Sequence, residues 1–289
     1  MHISIIIPSY KRYDNVKRLL NLLNKQEANT VKYEVIVICD APDSANQYAT
    51  LEKEEYNYPL KIIYNENNLG ISKSRDKGII ISEGEYILIL DDDMTPKDDS
   101  LIQNFYNDAV KYKKTLFSGN ILHPEPKNKF QRFVNSSATY FGFHNIKHMQ
   151  EIPFYKAVSG SILIPRNLFF KDNITFHNKA ELVWIYGYED LIMMSRANEV
   201  GYTFRFNEKA KTIHNEEYTL TKLANRKYRA GTKIKAILKS YPKLKSILLK
   251  PGMKYWPFRF RIPNKLLNFL ETLINKFNLP NILFRFILA

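Results

Sequence analysis

Three adjacent carboxylates, Asp91, Asp92 and Asp93, follow the apolar run ILIL at 87–90. Carboxylates this close repel one another and cost stability unless a cation neutralises them. If the segment is extended, alternate residues point the same way, so Asp91 and Asp93 can share one partner while Asp92 points elsewhere. Oxygen ligands suit Mg²⁺ or Mn²⁺, which bridge carboxylates to phosphates. The alternative is a solvated acidic turn in which Asp93 or Asp98 caps the next helix.

The elements that must position these carboxylates are short apolar runs alternating with helical patterns. We predict strands at 3–8, 34–39, 60–64 and 85–90, and helices at 16–23 and 72–81. Alternation of this kind implies βαβ units and a parallel sheet, and therefore an α/β fold. Polar residues follow several strands, at 9–12, at Asp40 and at 91–93. Because ligands of open α/β sheets bind beyond the carboxyl ends of the strands, we expect a ligand pocket there.

Composition limits the class of protein. The 289 residues are 45% hydrophobic with a mean hydropathy of −0.35, which is typical of a soluble protein with a substantial core. One cysteine, Cys39, excludes a disulfide framework and a cysteine-based zinc site, and it suits a reducing cytoplasm. The N-terminal stretch MHISIIIPSYKR lacks the pattern of a signal peptide. No apolar stretch reaches the ~18 residues of a transmembrane helix, so we expect none.

Positive charge is confined to one part of the chain. The net charge is +14, and residues 221–289 alone carry +15, with Glu271 as their one acid. The remainder is close to neutral. We therefore predict a catalytic domain at 1–220 and a basic appendage at 221–289.

A longer string around the carboxylates resembles a known signature. NNLGISKSRDKGIIISEGEYILILDDD, at 67–93, is similar to the pattern of family 2 glycosyltransferases. That resemblance implies the GT-A fold, with a mixed, mostly parallel sheet flanked by helices. In that family an Asn-x-Gly…Arg-(Asn/Asp)-x-Gly helix precedes a strand that ends in a metal-binding "DxD" motif. SIIIPSYKR, at 4–12, resembles the first strand and the Pro-x-Tyr-(Asn/Lys)-Arg turn of the family. EVIVICDAPD, at 34–43, lies where relatives carry VDDGS, but Cys39 replaces one acid and Ala41-Pro42 replaces Gly-Ser.

The resemblance extends through about residue 217. AVSGSILIPRNLFF, at 157–170, is similar to the acceptor-side segment of the family, and YGYEDLIMMSRANEVGYTFRF, at 186–206, is similar to its (G)ED…R…G(Y/W) element. That similarity implies that Asp190 is the catalytic base, with Glu189 beside it. It also implies that His214 is a metal or pyrophosphate ligand and that Asp40 contacts the nucleotide base. Four motifs in the right order make the resemblance specific.

The expected chemistry is glycosyl transfer from a nucleotide-diphosphate sugar. A divalent metal stabilises the leaving diphosphate, basic side chains bind its oxygens, and a carboxylate removes the proton of the acceptor hydroxyl. Nucleotide binding is assigned to Pro8, Ser9, Tyr10, Arg12, Asp40, Asn68, Gly70, Arg75 and Asp92. The ion, Mn²⁺ or Mg²⁺, is assigned to Asp91, Asp93 and His214. The sugar or acceptor is assigned to Gly160, Trp184, Tyr186, Tyr188 and Glu189.

Simpler roles stay open for some of these residues. Asp190 could cap the helix that follows it, which is compatible with a role as a base. His214 could be an ordinary polar residue. The three aromatic residues near Asp190 could form a platform for a sugar ring or pack in the core.

The appendage contains a second pattern. Residues 264–277 place Leu266, Leu270, Leu273 and Phe277 on one helical face, with Leu267 and Ile274 adjoining. Upstream, basic residues alternate with aliphatic and aromatic ones, which suits an anionic membrane surface. The alternative is that the apolar face packs on the catalytic domain. Nucleic acid is not expected as a partner, because no known nucleic-acid-binding motif is present.

The sequence thus predicts a metal-dependent, inverting glycosyltransferase of the hexosyltransferase type. We expect a UDP-sugar donor and a glycan acceptor, lipid-linked or part of a surface polysaccharide or lipopolysaccharide. The expected location is the cytoplasm, on the inner face of the cell membrane. The alternatives are a nucleotidyltransferase that makes an activated sugar, and a non-catalytic membrane or nucleic-acid binder with a degenerate transferase domain.

Overall fold

A computed structural model of the chain describes residues 1–136, 143, 145–177, 188–249 and 262–277. Its strands are β1 (Ile3–Ser9), β2 (Tyr33–Cys39), β3 (Leu60–Tyr64), β4 (Tyr86–Leu90), β5 (Met94–Pro96), β6 (Thr115–Leu122), β7 (Ser161–Pro165) and β8 (Thr203–His214). Its helices are α1 (Tyr13–Leu23), α2 (Ala45–Tyr48), α3 (Ile71–Ile80), α4 (Leu101–Ala109), α5 (Lys129–Ser136), α6 (Asn167–Phe170), α7 (Glu189–Glu199), α8 (Leu220–Gly231), α9 (Ile234–Ser240), α10 (Lys245–Leu248) and α11 (Asn264–Lys276). The six elements predicted in the first ninety residues are all present, with ends shifted by at most three residues.

All the strands of the described part join one sheet in the order β3-β2-β1-β4-β7-β6-β8-β5. The pairs β1–β2, β2–β3, β1–β4 and β6–β8 are parallel, whereas β7 pairs antiparallel with both β4 and β6. The carboxyl ends of β1, β2 and β4 therefore lie along one edge of the sheet. The predicted α/β class with a mixed, mostly parallel sheet is confirmed.

The central strands are buried on both faces, as their unbroken apolar sequences predict. Every residue of β1 and β2 is buried, which is expected for parallel strands covered by helices. Close packing of α3 on the sheet depends on Gly78, since a Cβ there would lie 2.6 Å from Ile6 Cγ2. The core thus fixes the helix that carries Arg75 against the strand that leads to Ser9.

The described residues divide into two compact units. The first comprises 1–124, 143, 145–177 and 189–215, and it contains the whole sheet. The second comprises 125–136, Tyr188, 216–249 and 262–277. The predicted division at residue 220 stays a prediction.

The second unit has a small apolar core of its own. It is formed by side chains of α5, α8 and α11 with Tyr218: Phe130, Phe133, Val134, Tyr218, Leu220, Leu223, Leu267 and Ile274. On α11 the buried side chains are Leu267 and Ile274, whereas Leu266 and Phe277 are 46% and 61% exposed. The adjoining pair Leu267 and Ile274, rather than the predicted face of Leu266 and Phe277, is therefore the part of the apolar stripe that packs in this core.

Among the described residues, no helix combines the length and the hydropathy that crossing a bilayer requires.

Candidate active site

The three carboxylates lie in a tight turn between β4 and β5, with Met94 N donating to Asp91 O at 2.9 Å. The segment is therefore a turn and not the extended chain in which Asp91 and Asp93 would point the same way. Asp92 and Asp93 consequently share a partner, Arg12, while Asp91 pairs with Arg75. The expected grouping of Asp91 with Asp93 is therefore wrong for the side-chain contacts of this structure. The acidic-turn alternative also fails, since Asp92 and Asp93 are 5% and 9% exposed and Ser100 is the N-cap of α4.

Asp93 lies between two basic side chains, Arg12 and His214. Arg12 Nη1 donates to Asp93 Oδ2 at 2.7 Å, and His214 Nε2 lies 3.4 Å from Asp93 Oδ1. Burial raises the pKa of Asp93, but the hydrogen bond and charge of His214, together with Arg12, outweigh burial and lower that pKa to about 2. Asn215 fixes the turn by donating its backbone N–H to Asp93 O at 2.8 Å. Asp93 is therefore an ionised carboxylate at neutral pH.

Asp92 is held by β1. Ser9 Oγ donates to Asp92 Oδ2 at 2.6 Å, and Arg12 Nη1 donates to Asp92 Oδ1 at 3.1 Å. Burial raises the pKa of Asp92 to about 6, and the Ser9 hydrogen bond and the Arg12 charge only partly oppose it. Ser9 in turn bonds Tyr48 at 2.7 Å. Asp92 is thus held by Ser9 at the end of β1 and by Arg12 at the start of α1, and Tyr48 of α2 supports it through Ser9.

Arg75 connects a second group of carboxylates. Its side chain is 1% exposed, Nη2 donates to Asp91 Oδ1 at 2.8 Å, and Nη1 lies 3.9 Å from Glu189 Oε1. The guanidinium also stacks over the Phe176 ring at 5.0 Å. Arg75 was expected at the phosphates of a nucleotide, but here it is enclosed by protein and engaged with these side chains.

Asp190 lies in the first turn of α7. Ser159 Oγ donates to Asp190 Oδ2 at 3.2 Å, and Leu191 N donates to Oδ1 at 2.8 Å. Burial raises the pKa of Asp190, while the positive charge of Arg75 opposes that shift. A carboxylate with a raised pKa is a stronger base, and such groups cluster at functional sites.

Asp40 organises the loop before α3. Its Oδ1 accepts from Leu69 N and Asn65 Nδ2, and its Oδ2 accepts from Gly70 N, each at 2.8 Å. Gly70 has φ +79°, a conformation that favours glycine. Asn68 Oδ1 also accepts from Gly70 N at 3.0 Å. These residues therefore form one rigid loop at the carboxyl end of β2.

The turn after β1 presents side chains to solvent. Pro8 and Ser9 end the strand, and Tyr10 is 47% exposed. Lys11 adopts φ +57° and pairs with Asp43 at 2.6 Å. The strand end thus supplies one aromatic face and the Arg12 guanidinium.

Gly160 lies beside the Asp turn. Asp91 N donates to Gly160 O at 3.0 Å, and a Cβ on Gly160 would come 3.2 Å from Asp91 Oδ2 and 2.7 Å from Met94 Cε. Glu189 begins α7, near Arg75. Tyr188 is described and partly buried, whereas Trp184 and Tyr186 lie outside the described residues.

The side chains of the turn offer ligand types that suit a divalent ion which takes part of its coordination from a bound ligand. In the described part of the chain, no group of three His, Cys, Asp or Glu side chains could hold a metal alone. Mg²⁺ is usually held by one or two carboxylates plus phosphate oxygens. Asp93, with its unprotonated carboxylate, and the nearby His214 and Asp91 supply the required ligand types.

Sequence reasoning missed Ser159, Tyr48, Phe176 and Asn215. Ser159 directly precedes Gly160 in the segment at 157–170 that resembles the acceptor side of the family, so its position in the sequence could have identified it. The other three carry no such signal, because their contacts depend on tertiary packing.

Comparison with known proteins identifies the family of the chain. The sequence matches "Glycosyl transferase family 2" over residues 4–174. Abequosyltransferase RfbV of Salmonella typhimurium is 30% identical over 111 residues, which are 38% of this chain and 33% of that protein. Poly(ribitol-phosphate) beta-glucosyltransferase of Bacillus spizizenii is 30% identical over 122 residues, which are 42% of this chain and 19% of that protein. This chain thus aligns with a third or less of the length of these relatives.

Solved structures share the fold. S. aureus TarS 1–349 in complex with UDP-GlcNAc gives a TM-score of 0.57 at 15% identity, over 87% of this chain and 77% of that one. The mannosyltransferase PcManGT from Pyrobaculum calidifontis, in complex with GDP-Man and Mn²⁺, gives a TM-score of 0.58 at 13% identity, over 86% and 68%. The chain therefore belongs to glycosyl transferase family 2 and has the GT-A fold.

Proposed function

We propose that this protein is a metal-dependent, inverting glycosyltransferase that moves a sugar from a nucleotide-diphosphate sugar to a hydroxyl of a glycan acceptor. The observation that carries the proposal is that two groups of side chains are present. Arg12, Asp92, Asp93 and His214 converge at the edge of the sheet. The second group is Asp190 with Arg75, whose positive charge acts on that carboxyl. One group suits a metal-bound diphosphate, and the other suits proton removal. Both lie in the same unit of the fold.

The binding site for the nucleotide-sugar donor is proposed at the carboxyl ends of β1, β2 and β4. Asp93, Asp91 and His214 would hold Mn²⁺ or Mg²⁺, which stabilises the charge that develops on the leaving diphosphate. Arg12, half exposed, is placed to bind phosphate oxygens. Pro8, Ser9 and Tyr10 then flank the nucleoside, together with the loop of Asn68 and Gly70 that Asp40 fixes.

On the acceptor side Asp190 serves as the general base. Its raised pKa increases its affinity for the proton of an attacking hydroxyl, and Ser159 orients the carboxylate. A single base without a nucleophilic carboxylate leads to direct displacement and inversion. Glu189 and Gly160 adjoin Asp190 and Asp91, and we assign them, with Trp184, Tyr186 and Tyr188, to the sugar or acceptor.

The substrate class is proposed from relatives. Their names include an abequosyltransferase, a poly(ribitol-phosphate) glucosyltransferase and an amylovoran biosynthesis glycosyltransferase. These support a surface polysaccharide or lipopolysaccharide acceptor. UDP-GlcNAc bound to TarS supports a UDP-sugar, and GDP-Man bound to PcManGT keeps a GDP-sugar as the competing donor.

A donor screen tests this function. Purified protein with Mn²⁺ or Mg²⁺ is incubated with each common nucleotide sugar, and the released nucleoside diphosphate is measured. We expect slow, metal-dependent hydrolysis of one donor, lost in Asp93→Ala and retained in the matched surface variant Asp43→Ala. Equal release by wild type and Asp93→Ala would contradict the proposal. With an acceptor found, NMR of the new anomeric linkage tests inversion.

We also propose that the second unit docks on an anionic membrane surface, where a lipid-linked acceptor would be found. Leu266, Phe269 and Phe277 form an exposed apolar stripe on α11, 46–61% exposed. Helical spacing puts Lys265 and Lys276 along one edge of this stripe, whereas Glu271 accepts from Leu220 N at 2.9 Å. An apolar stripe edged by lysines is typical of helices that lie in the plane of a membrane.

Vesicle sedimentation tests the docking. The intact chain should bind vesicles of equal parts phosphatidylcholine and phosphatidylglycerol, and Phe269→Ser/Phe277→Ser should bind about tenfold more weakly. The control Ile80→Ser/Val110→Ser alters exposed apolar residues of the first unit and should bind like wild type. Equal binding by all three proteins would contradict docking through this stripe, and self-association of the wild type would indicate a second copy as its partner.

A further inference from the structure

Arg12 is the cationic side chain that Asp92 and Asp93 share. Its Nη1 lies 3.1 Å from Asp92 Oδ1 and 2.7 Å from Asp93 Oδ2. Both carboxylates are buried. Adjacent buried carboxylates that lack a counter-charge are costly, so this contact stabilises the turn.

Arg12 combines a backbone that is fixed by hydrogen bonds with a guanidinium group that is free to move. Arg12 is the N-cap residue of α1, its carbonyl accepts from Val16 N at 3.1 Å, and its N–H donates to Tyr48 Oη at 3.3 Å. The side chain itself is 48% exposed. The guanidinium can therefore leave the carboxylates without disturbing the start of the helix.

The same carboxylate is the proposed metal ligand. Asp93 Oδ2 is engaged by Arg12, and Asp93 Oδ1 faces His214 Nε2 at 3.4 Å. A divalent cation at Asp93 would therefore lie beside the guanidinium and repel it. The cation alone would also reverse the net charge of the Arg12, Asp92 and Asp93 group.

We propose that Arg12 is a tethered counter-ion that opposes metal binding until a diphosphate arrives, so that metal and nucleotide diphosphate bind cooperatively. A phosphate group offers the guanidinium a planar, bidentate partner in exchange for Asp93. A divalent metal and the diphosphate of a nucleotide sugar, which carries two negative charges, together add no net charge to the group. Arg12 thereby prevents the protein from holding a metal at Asp93 without a donor.

This inference rests on the metal dependence proposed above, and calorimetric titration tests it without turnover. Mn²⁺ is titrated into wild type, Arg12→Met and Lys11→Met, each with and without saturating UDP. Lys11 is the matched control because it is the neighbouring, half-exposed cation and pairs with Asp43 instead. UDP is the probe because it carries the diphosphate and no sugar.

Wild type should bind Mn²⁺ at least about tenfold more tightly with UDP than without it, within the usual range of coupling between sites. Arg12→Met should bind Mn²⁺ alone about tenfold more tightly than wild type, and UDP should then improve its affinity little. Lys11→Met should reproduce the wild-type coupling. Arg12→Lys, which retains the charge, should keep Mn²⁺ binding weak in the absence of UDP.

Two outcomes separate this inference from the proposed function. If Arg12→Met, folded by circular dichroism, bound Mn²⁺ no more tightly than wild type and kept the coupling to UDP, the counter-ion role would be overturned while metal dependence survived. If neither protein bound Mn²⁺, with or without UDP, both the metal dependence and the inference would be wrong.

Discussion

Arg75 Nη2 lies 2.8 Å from Asp91 Oδ1 in a position where the arginine side chain is 1% exposed. The same guanidinium is 3.9 Å from Glu189, and its charge acts on Asp190. One buried cation therefore joins the carboxylate turn of the proposed donor side to the first turn of α7, which carries the proposed base.

Removal of this cation should be strongly destabilising. Arg75→Met leaves Asp91, Glu189 and Asp190 without their buried counter-charge, so we expect a loss of about 3–5 kcal/mol in the free energy of unfolding. Lys17→Met, which breaks the solvent-accessible pair with Glu54, should destabilise the protein much less, because such pairs contribute little. Urea denaturation of the two variants measures the difference. Similar, small losses in both would show that Arg75 is not the centre of this group.

The pH dependence of transfer should report Asp190. Because burial raises the pKa of this carboxyl, the rate should begin to fall with decreasing pH at a higher pH than it would for an ordinary aspartate of pKa ~3.9. Asp190→Asn should lower the rate about 10²–10⁴-fold and leave binding of UDP unchanged, as expected for a general base. Ser159→Ala, which removes only the orienting hydrogen bond, should have a smaller effect. The assay is the pH–rate profile of each variant with the donor that the screen identifies.

A profile of Asp190→Asn that matched wild type in both rate and pH dependence would move the base role to another carboxylate. Glu189 would then be the next residue to substitute, since it adjoins Asp190 at the start of α7.

Asp76 should make stability depend on pH. Its carboxylate accepts from Phe176 N at 2.9 Å and His177 N at 2.7 Å, yet burial raises its pKa to about 6. An unfolded aspartate titrates near ~3.9, so between these values the folded protein binds the proton more tightly. The contribution of Asp76 to stability is therefore full below about pH 4 and is lost as pH rises through about 6.

Unfolding of wild type and Asp76→Asn across this range measures the effect. The difference in free energy of unfolding, wild type minus variant, should fall by roughly 2–3 kcal/mol between about pH 4 and pH 7. A difference that stayed constant with pH would show that Asp76 does not titrate with a raised pKa.

The sequence predicted what local patterns determine. Unbroken apolar runs placed β1 to β4, and polar residues at their ends placed Asp40 and Asp93 beside a common edge of the sheet. It could not place Arg12 between Asp92 and Asp93, because that contact joins residues 80 and 81 positions apart. The assumption of an extended segment failed for a related reason, since the strand ends at Leu90 and a turn follows.

The position of β7 in the sheet and the buried face of α11 are determined by tertiary packing, so the sequence pattern could not predict them. The insertion of β7 between β4 and β6 was not predicted, because pairing partners are not encoded in a strand's own pattern. On α11 the apolar stripe was wide enough to offer two faces, and the core took the one with Leu267 and Ile274. Periodicity gives the width of such a stripe but not the half that is buried.

Gly160 should tolerate no side chain. An alanine Cβ there would lie 2.7 Å from Met94 Cε and 3.2 Å from Asp91 Oδ2, so the ends of both side chains must shift, and Met94, which is 2% exposed, has little room to do so. We expect Gly160→Ala to cost about 1–3 kcal/mol, as overpacking does. It should also weaken UDP–Mn²⁺ binding, because Asp91 is displaced from Arg75.

Gly231→Ala is the matched control for this substitution. Gly231 ends α8, and a Cβ at that position meets nothing within 4 Å. Replacing glycine by alanine in a helix stabilises it by about 0.5–1 kcal/mol, so this variant should be as stable as wild type or more so. Thermal unfolding and UDP–Mn²⁺ titration of both variants compare them directly. If Gly160→Ala matched Gly231→Ala in both measurements, the close approach of Gly160 to Asp91 would have no role in shaping the donor site.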